Sequence, residues 1–282
     1  MHPPIRIRIL ASGSQGNAAI VSLRPRDAAP MHVLLDLGLS PRKLCGALAV
    51  ENIHPLDIAA ILITHADADH LHGGWSRNWP FQHAKVIARS AHHGAMVRAG
   101  IPATRTLNAD PDADSKHFFP HIHCLALPHD VAGSTGFRIS TDGVALGWAT
   151  DLGQMSNDAL AFFTGVDALC IESNYDLQLQ QRSSRPDFLK QRIMGGYGHL
   201  SNAQALHAAL HIHGQRALRH IVLLHLSSQC NSYNVVQELW HAHAPELAKV
   251  MQVATQTLAL PWLCVGQPRM CNWSESLFVS QR

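Results

Sequence analysis

A short apolar run, Ile58 to Thr64, ends abruptly in His65-Ala-Asp67-Ala-Asp69-His70. Its length, β-branched content and polar flanks predict a buried strand. Alternate side chains of extended backbone point the same way, so His65, Asp67 and Asp69 can converge on one point, with His70 following as the chain turns. Imidazoles and carboxylates at that density suit zinc, manganese or iron better than calcium. The plain alternative is a polar loop in a histidine-rich chain, since 21 of 282 residues are His. A burst of ligands placed at a strand end favours the metal reading.

The rest of the chain repeats the pattern of a strand ending in a chemically active group. Strands are predicted over 5–11, 18–23, 31–38, 85–88, 121–129, 137–140, 144–150, 167–172, 220–225 and 250–257. Helices are predicted over 41–50, 186–194, from Ser201 onward and over 231–242. The link Ser12-Gly-Ser-Gln-Gly-Asn17 reads first as a hairpin turn and second as a loop whose N–H groups face an anion. Asp36 can either brace the metal loop or cap the helix that opens at Ser40-Pro41. His92 and His93 are expected at the surface or facing substrate, because adjacent residues point apart. His207 and His211, one turn apart, read as a helix-surface pair. The aspartates of 108–116 lack the glycine and closing glutamate of a calcium loop. Ser201 and Gln204 have capping-box spacing, which puts His199 just before a helix N-terminus.

Strand runs interrupted by helices, with no linker, repeat or low-complexity tract, predict an α+β single domain: two sheets with helices packed outside. It spans 1–282, with a core of about 5–257 and no assignable element beyond Pro261. Hydrophobic residues make up 46% and charged residues 15% of the chain, with a formal charge of +2. An anionic substrate must therefore be held by a local patch or by metal, not by a global field. Six cysteines show no Cys-x-x-Cys spacing. The N-terminal charges are threaded through apolar residues, unlike a signal peptide, and no apolar run approaches the ~18 residues of a membrane span. A cytoplasmic protein with mostly buried, inert thiols is expected. Oligomeric state stays open.

His65, His129, Asp151, Glu172 and His225 stand at separate strand ends, more regularly than chance would place them. Two ions ~4 Å apart need about this many ligands, so the residues point to a binuclear hydrolase.

His65-x-Asp67-x-Asp69-His70 resembles the His-x-His-x-Asp-His motif of the metallo-β-lactamase-fold superfamily, with Asp67 in place of the second histidine. Together with Ser12-Gly-Ser-Gln-Gly-Asn17, Leu127-Pro-His-Asp130, Ala149-Thr-Asp-Leu-Gly153, Ile171-Glu-Ser-Asn-Tyr-Asp176, Gly198-His-Leu-Ser-Asn202 and Leu224-His-Leu-Ser227, it is similar to the YycJ (WalJ) family. The resemblance implies a four-layer αββα sandwich and a DNA exonuclease acting from the five-prime end. It extends to the β-CASP nucleases, including ribonuclease J, without their inserted domain.

On that resemblance, His65, Asp67, His129 and Asp151 hold one divalent ion. Asp69, His70, Asp151 and His225 hold a second, with Asp151 bridging. The ions are zinc or manganese, with iron possible, and a hydroxide between them is the nucleophile, oriented by Asp69. His199 and Asn17 contact substrate. His199, with its tautomer fixed by Glu172, contacts the scissile phosphate or protonates the leaving oxygen. DNA is the favoured substrate and no membrane is involved. The alternative is hydrolysis of a small ester, thioester, lactone or cyclic phosphodiester, since one metal cage serves all of these. A non-catalytic metal-binding protein is a third reading, against which the otherwise full ligand set argues.

Overall fold

The computed structural model describes residues 3–110 and 121–267, so most of the aspartate-rich 108–116 loop lies outside the described residues. Strand β1 (Ile5–Ala11) pairs antiparallel with β2 (Ala18–Leu23), as the glycine-rich hairpin predicts, and β2 pairs antiparallel with β3 (Met31–Leu35). Helix α1 (Pro41–Val50) follows, capped by Ser40 and not by Asp36. Next, β4 (Ile58–Leu62), β5 (Lys85–Ala88), helix α2 (Ser90–Arg98) and β6 (Thr106–Asn108) extend this sheet in parallel.

The second sheet starts as an antiparallel meander of β7 (Ile122–Leu127), β8 (Ser134–Thr141) and β9 (Val144–Ala149). It then takes helix α3 (Asn157–Phe163), β10 (Ala168–Glu172), α4 (Leu177–Arg182), α5 (Asp187–Met194), α6 (Asn202–Gln215), β11 (His220–Leu224), α7 (Tyr233–His243), α8 (Pro245–Ala248) and β12 (Met251–Val253). A last strand, β13 (Leu263–Val265), returns to the free edge of β1. It falls beyond the point where sequence pattern is readable, because three residues carry no periodicity and only the pairing with Ile5–Ile7 defines it.

Period-two alternation sorts the side chains into layers. Ile5, Ile7, Val33, Leu35 and Leu62 face Phe137, Leu146, Trp148 and Val222 between the sheets. On the outer face of the first sheet, Leu34 and Ile61 meet Leu44, Leu48 and Met96 of α1 and α2. Across the molecule, Leu169, Ile171 and Leu223 meet Phe163, Ile212 and Trp240 of α3, α6 and α7. The result is the αββα sandwich. Burial of each such side chain contributes ~1.5–3 kcal/mol, so buried apolar area is the main tie between the two sheets.

Strand direction decides where the chemistry gathers. Strands β9, β10 and β11 are mutually parallel, and β7 runs the same way because two antiparallel steps separate it from β9. In the other sheet β3 and β4 are parallel, and β1 shares their direction by the same reasoning. The residues at or just past these C-terminal ends are Ser12, Asp36, His65, His129, Asp151, Glu172 and His225, the usual place for a site in such sheets.

Two expectations need correction. Helix α2 was not legible, and His92 on it is 4% exposed, not a surface residue. The strand predicted over 250–257 ends at Val253. Helices α3 and α4 had no prediction, because each is about two turns long and carries little periodicity.

Candidate metal centre

Tight turns at the strand ends aim the ligands inward. Asp36, Asp151 and His225 have φ of 61°, 53° and 55°, a left-handed conformation uncommon for residues other than glycine. Strain of this kind costs ~1–3 kcal/mol per residue and persists only where surrounding bonds fix it. Those bonds are present. Ser12 Oγ accepts from the His225 N–H at 2.9 Å, and Ser134 Oγ donates to the Asp151 carbonyl at 2.6 Å.

The His/Asp loop is stitched to its neighbours by backbone. Asn17 N–H donates to Asp69 O at 2.7 Å, and Leu37 N–H to His70 O at 2.8 Å. Gly38 permits this approach, since a Cβ there would stand 1.7 Å from Asp69 O.

Five imidazoles close into a ring. Centroid separations are 4.2 Å for His65–His70, 5.1 Å for His65–His129, 5.2 Å for His129–His199, 5.4 Å for His199–His225 and 5.7 Å for His225–His70. Asp151, 2% exposed, lies against this ring. Its Oδ2 is 3.0 Å from His70 Nε2, while Oδ1 is 3.3 Å from His225 Nδ1 and 3.5 Å from His199 Nδ1. Each carboxylate oxygen thus serves a different side.

Each histidine has one nitrogen fixed from behind. His70 Nδ1 donates to Asp36 Oδ2 at 2.8 Å, and Thr64 Oγ1 lies 3.0 Å from both Asp36 oxygens. Asp36 is therefore a brace, one of the two roles its position allowed. His129 Nδ1 donates to the Gly198 carbonyl at 2.8 Å, and His65 Nδ1 sits 3.1 Å from Thr64 Oγ1. Fixing Nδ1 in this way leaves Nε2 of His65, His70 and His129 with its lone pair toward the centre, the arrangement a metal requires.

Potential ligand atoms fall within 4.8 Å of one another in several groups: His65, Asp67 and His129; His65, His70 and Asp151; and Asp69, His70 and His225. Asp151, Glu172, His199 and His225 form a fourth such group. Every residue expected at the metal is in this cluster, including Asp67, whose Oδ2 is 3.8 Å from His65 Nε2 and whose side chain is 61% exposed.

Protonation follows burial and charge. His65 is held well below its ordinary pKa, first by burial and then by His70 beside it. For His70 and His225, burial acts downward and is the largest single effect, but Asp151 and the other carboxylates together outweigh it. His70 rises well above its usual value with help from Asp36, and His225 reaches about 10 with help from Asp69 and Glu172. Burial alone would raise Asp151, yet His225 and His70 hold it well below the usual carboxylate range. The carboxylates are drawing positive charge from histidines. A divalent cation supplies that charge directly, so this donor set fits divalent metal.

Glu172, fully buried, accepts from the Leu152 and Leu200 N–H groups at 3.0 and 3.2 Å, from His199 Nδ1 at 2.7 Å and from His225 Nδ1 at 3.1 Å. His199 is partly exposed, and its Nε2 is the nitrogen left for a ligand in the adjoining cleft. Its pKa is raised, because Glu172 overcomes the downward effect of burial. The capping box behind it is formed, with Ser201 Oγ accepting from Gln204 N–H at 3.3 Å and Gln204 Oε1 accepting from Ser201 N–H at 2.8 Å.

Asn17 is 2% exposed; its carboxamide bonds Gly13 N–H, Gly13 O and Asp69 O, and its Nδ2 lies 2.9 Å from His70 Nε2, so it ties two loops together and touches the cage itself. Sequence reading also missed Ser134 and Asn174. The latter donates to the His225 carbonyl at 2.8 Å, and only its place in the Glu-Ser-Asn stretch hinted at a role.

Residues 31–225 match the family model described as "Beta-lactamase superfamily domain". The chain is 30% identical over 248 residues to "Exodeoxyribonuclease WalJ" of Streptococcus pneumoniae serotype 2, covering 83% of this chain and 84% of that protein. It is 26% identical over 232 residues to "Exodeoxyribonuclease YycJ" of Bacillus anthracis, covering 80% and 84%. Among solved structures, the metallo-β-lactamase-fold protein YhfI of Bacillus subtilis superposes with a TM-score of 0.61 at 14% identity, over 91% of this chain and 99% of that one, a likeness of fold alone.

Proposed function

Because the chain belongs to the β-lactamase superfamily and, within it, to the WalJ/YycJ family, we propose that it is a DNA exonuclease that removes nucleotides from the five-prime end. The enzyme is a metal-dependent hydrolase. What carries the phosphodiester reading beyond that is the 2.7 Å contact of Glu172 with His199 Nδ1 at the rim of the cage. The nucleoside alkoxide that leaves a phosphodiester needs a proton, and this pair holds one at the rim of the cage.

His65, Asp67, His129 and Asp151 would hold one ion, and Asp69, His70, Asp151 and His225 the other. Divalent ions held there would supply positive charge for the phosphate and a water acidic enough to react near neutral pH. Asp69 is kept ionised because, against the effect of burial, His225 and His70 hold its pKa low, so it can accept a hydrogen bond from the attacking water. As the new P–O bond forms, the bond to the departing nucleoside oxygen breaks, and His199 Nε2–H gives that oxygen its proton. Glu172 fixes the tautomer that makes this possible and steadies the cation left between transfers.

Digestion of end-labelled single- and double-stranded DNA and RNA, with manganese or zinc added, tests the reading. Release of labelled mononucleotide from five-prime-labelled DNA before any shortened ladder is the expected result. Cleavage of a small ester or lactone with intact nucleic acid would replace it with the acyl-hydrolase alternative.

A further inference from the structure

The insert between Glu172 and His199 carries a guanidinium that the cage does not use. Two clefts reach the site from either side. One, of about 360 Å³, includes His129 and His199, and the other, of about 200 Å³, includes His199 and His225. The first is large enough for a nucleotide-sized ligand. Arg185, Ile193, His199 and Gln229 line both.

Arg185 is held by three neutral acceptors: Gln229 Oε1 at 3.1 Å from Nε, Gln180 Oε1 at 3.0 Å from Nη1 and Ser227 Oγ at 3.3 Å from Nη2. These engage three of its five N–H donors and neutralise none of its charge. Among the described residues no carboxylate comes within ion-pair distance of it. Arg192, by contrast, is paired with Asp130, and Lys190 lies 3.9 Å from Asp187. A rigid, half-buried and uncompensated guanidinium beside a hydrolytic centre is built for an anion, and the planar fork suits phosphate. The same insert exposes Phe188 and Tyr197, at 73% and 65%, as faces on which unstacked bases can rest.

We propose that Arg185 anchors the nucleotide phosphate next to the scissile one, either a terminal monophosphate or the neighbouring phosphodiester. The assignment rests on the nuclease reading above. It makes the α4–α5 insert the element that recognises the strand, with Arg185 placed where the strand passes from one cleft to the other beside His199.

The test is steady-state kinetics of the full-length, metal-loaded protein on single-stranded oligonucleotides with five-prime phosphate or five-prime hydroxyl. A charge-assisted hydrogen bond of ordinary strength corresponds to a roughly 10- to 100-fold rise in KM for R185Q. The salt dependence of log(kcat/KM) should flatten by about 0.7, the share of one phosphate contact on a single strand. Arg182→Gln removes the same charge from the neighbouring helix but lines neither cleft, and should shift KM far less. Loss confined to five-prime-phosphorylated strands identifies the terminal phosphate, and equal loss on both identifies the phosphodiester. Melting temperature and metal content are followed in parallel. If R185Q is unstable, R185K, which keeps the charge without the fork, should still raise KM while leaving the salt slope in place. An unchanged KM and salt slope, or equal losses in R182Q and R185Q, would overturn the anchor while leaving the nuclease reading intact. Wild-type protein that turns over no oligonucleotide removes both.

Discussion

At His199 the decisive atom is Nε2, because Nδ1 is committed to Glu172 at 2.7 Å. A nucleoside alkoxide needs the proton that Nε2 carries, whereas a nitrophenolate leaves without one. Positioned proton transfer contributes about 100- to 10,000-fold. His199→Ala should therefore cripple oligonucleotide cleavage by about that factor and largely spare bis-nitrophenyl phosphate, with metal content unchanged. Glu172→Gln should give a milder version of the same split. Equal losses on both substrates would make His199 a binding contact, and loss of metal would make it a ligand, as its grouping with Asp151 and His225 also permits. Asp67 poses a separate question, since an anionic oxygen beside His65 and His129 is harder than the histidine usual at this point of the motif. Asp67→His should move activation from manganese or iron toward zinc, read as rate against each ion. Identical profiles would take Asp67 out of the cage.

Individual elements are braced for this role, and β3 shows how. Asp36, at its end, receives the His70 Nδ1–H and the Thr64 hydroxyl, so it sets the angle of a histidine in the loop that follows the next strand. Partners of this kind are worth about 10- to 100-fold in metal affinity. Asp36→Ala should weaken binding by that much in a chelator competition, although Asp36 itself would touch no ion. Unchanged affinity would show that packing alone orients His70. Within the same strand His32 lies opposite Ser22, with Ser22 Oγ 2.9 Å from its Nδ1. Burial lowers its pKa from 6.5 to about 4, with Arg6 and Arg24 acting in the same direction and Asp57 against them. The folded state thus keeps His32 neutral while the unfolded chain takes up a proton below 6.5. Stability from this group is complete above pH 6.5 and falls as pH drops toward 4, by up to about 3 kcal/mol. His32→Asn, which cannot titrate, should lose less stability over that window in urea titrations. Parallel pH curves for the two proteins would assign acid sensitivity to other groups.

Across the whole molecule, the cage lies on the seam between the sheets. His65, Asp67, Asp69 and His70 come from the seven-stranded sheet, and His129, Asp151 and His225 from the six-stranded one. Ions held there would link two layers that otherwise meet through apolar packing and a few hydrogen bonds such as His225 N–H to Ser12 Oγ, and the unfolded chain has no such cage. An ion present at 100 times its dissociation constant stabilises the fold by ~2.7 kcal/mol. Chelation should therefore lower the melting temperature of the whole chain in a single transition, and zinc or manganese should restore it. A melting temperature indifferent to chelator would mean that the cluster holds no ion. Among the described residues no helix is long and apolar enough to cross a membrane.

Local pattern in the sequence determined the strands, the glycine-rich hairpin, the Ser201 capping box and the set of ligand-bearing strand ends. Each of these is written within a few residues by alternation, turn chemistry or abrupt change of polarity. Tertiary structure decided the rest, because it depends on which strands lie side by side. Strand direction brought Glu172 and His225 to the edge that carries His65, and pairing alone defined β13. The choice of Asp36 as brace over cap, the burial of His92 and the contact of Asn17 with His70 were equally invisible in sequence, since each depends on partners distant along the chain. Arg185 makes the point from the other side. Its charge was there to read, but that it stands without a carboxylate between two clefts is a property of how α4 and α5 fold back over the sheet ends.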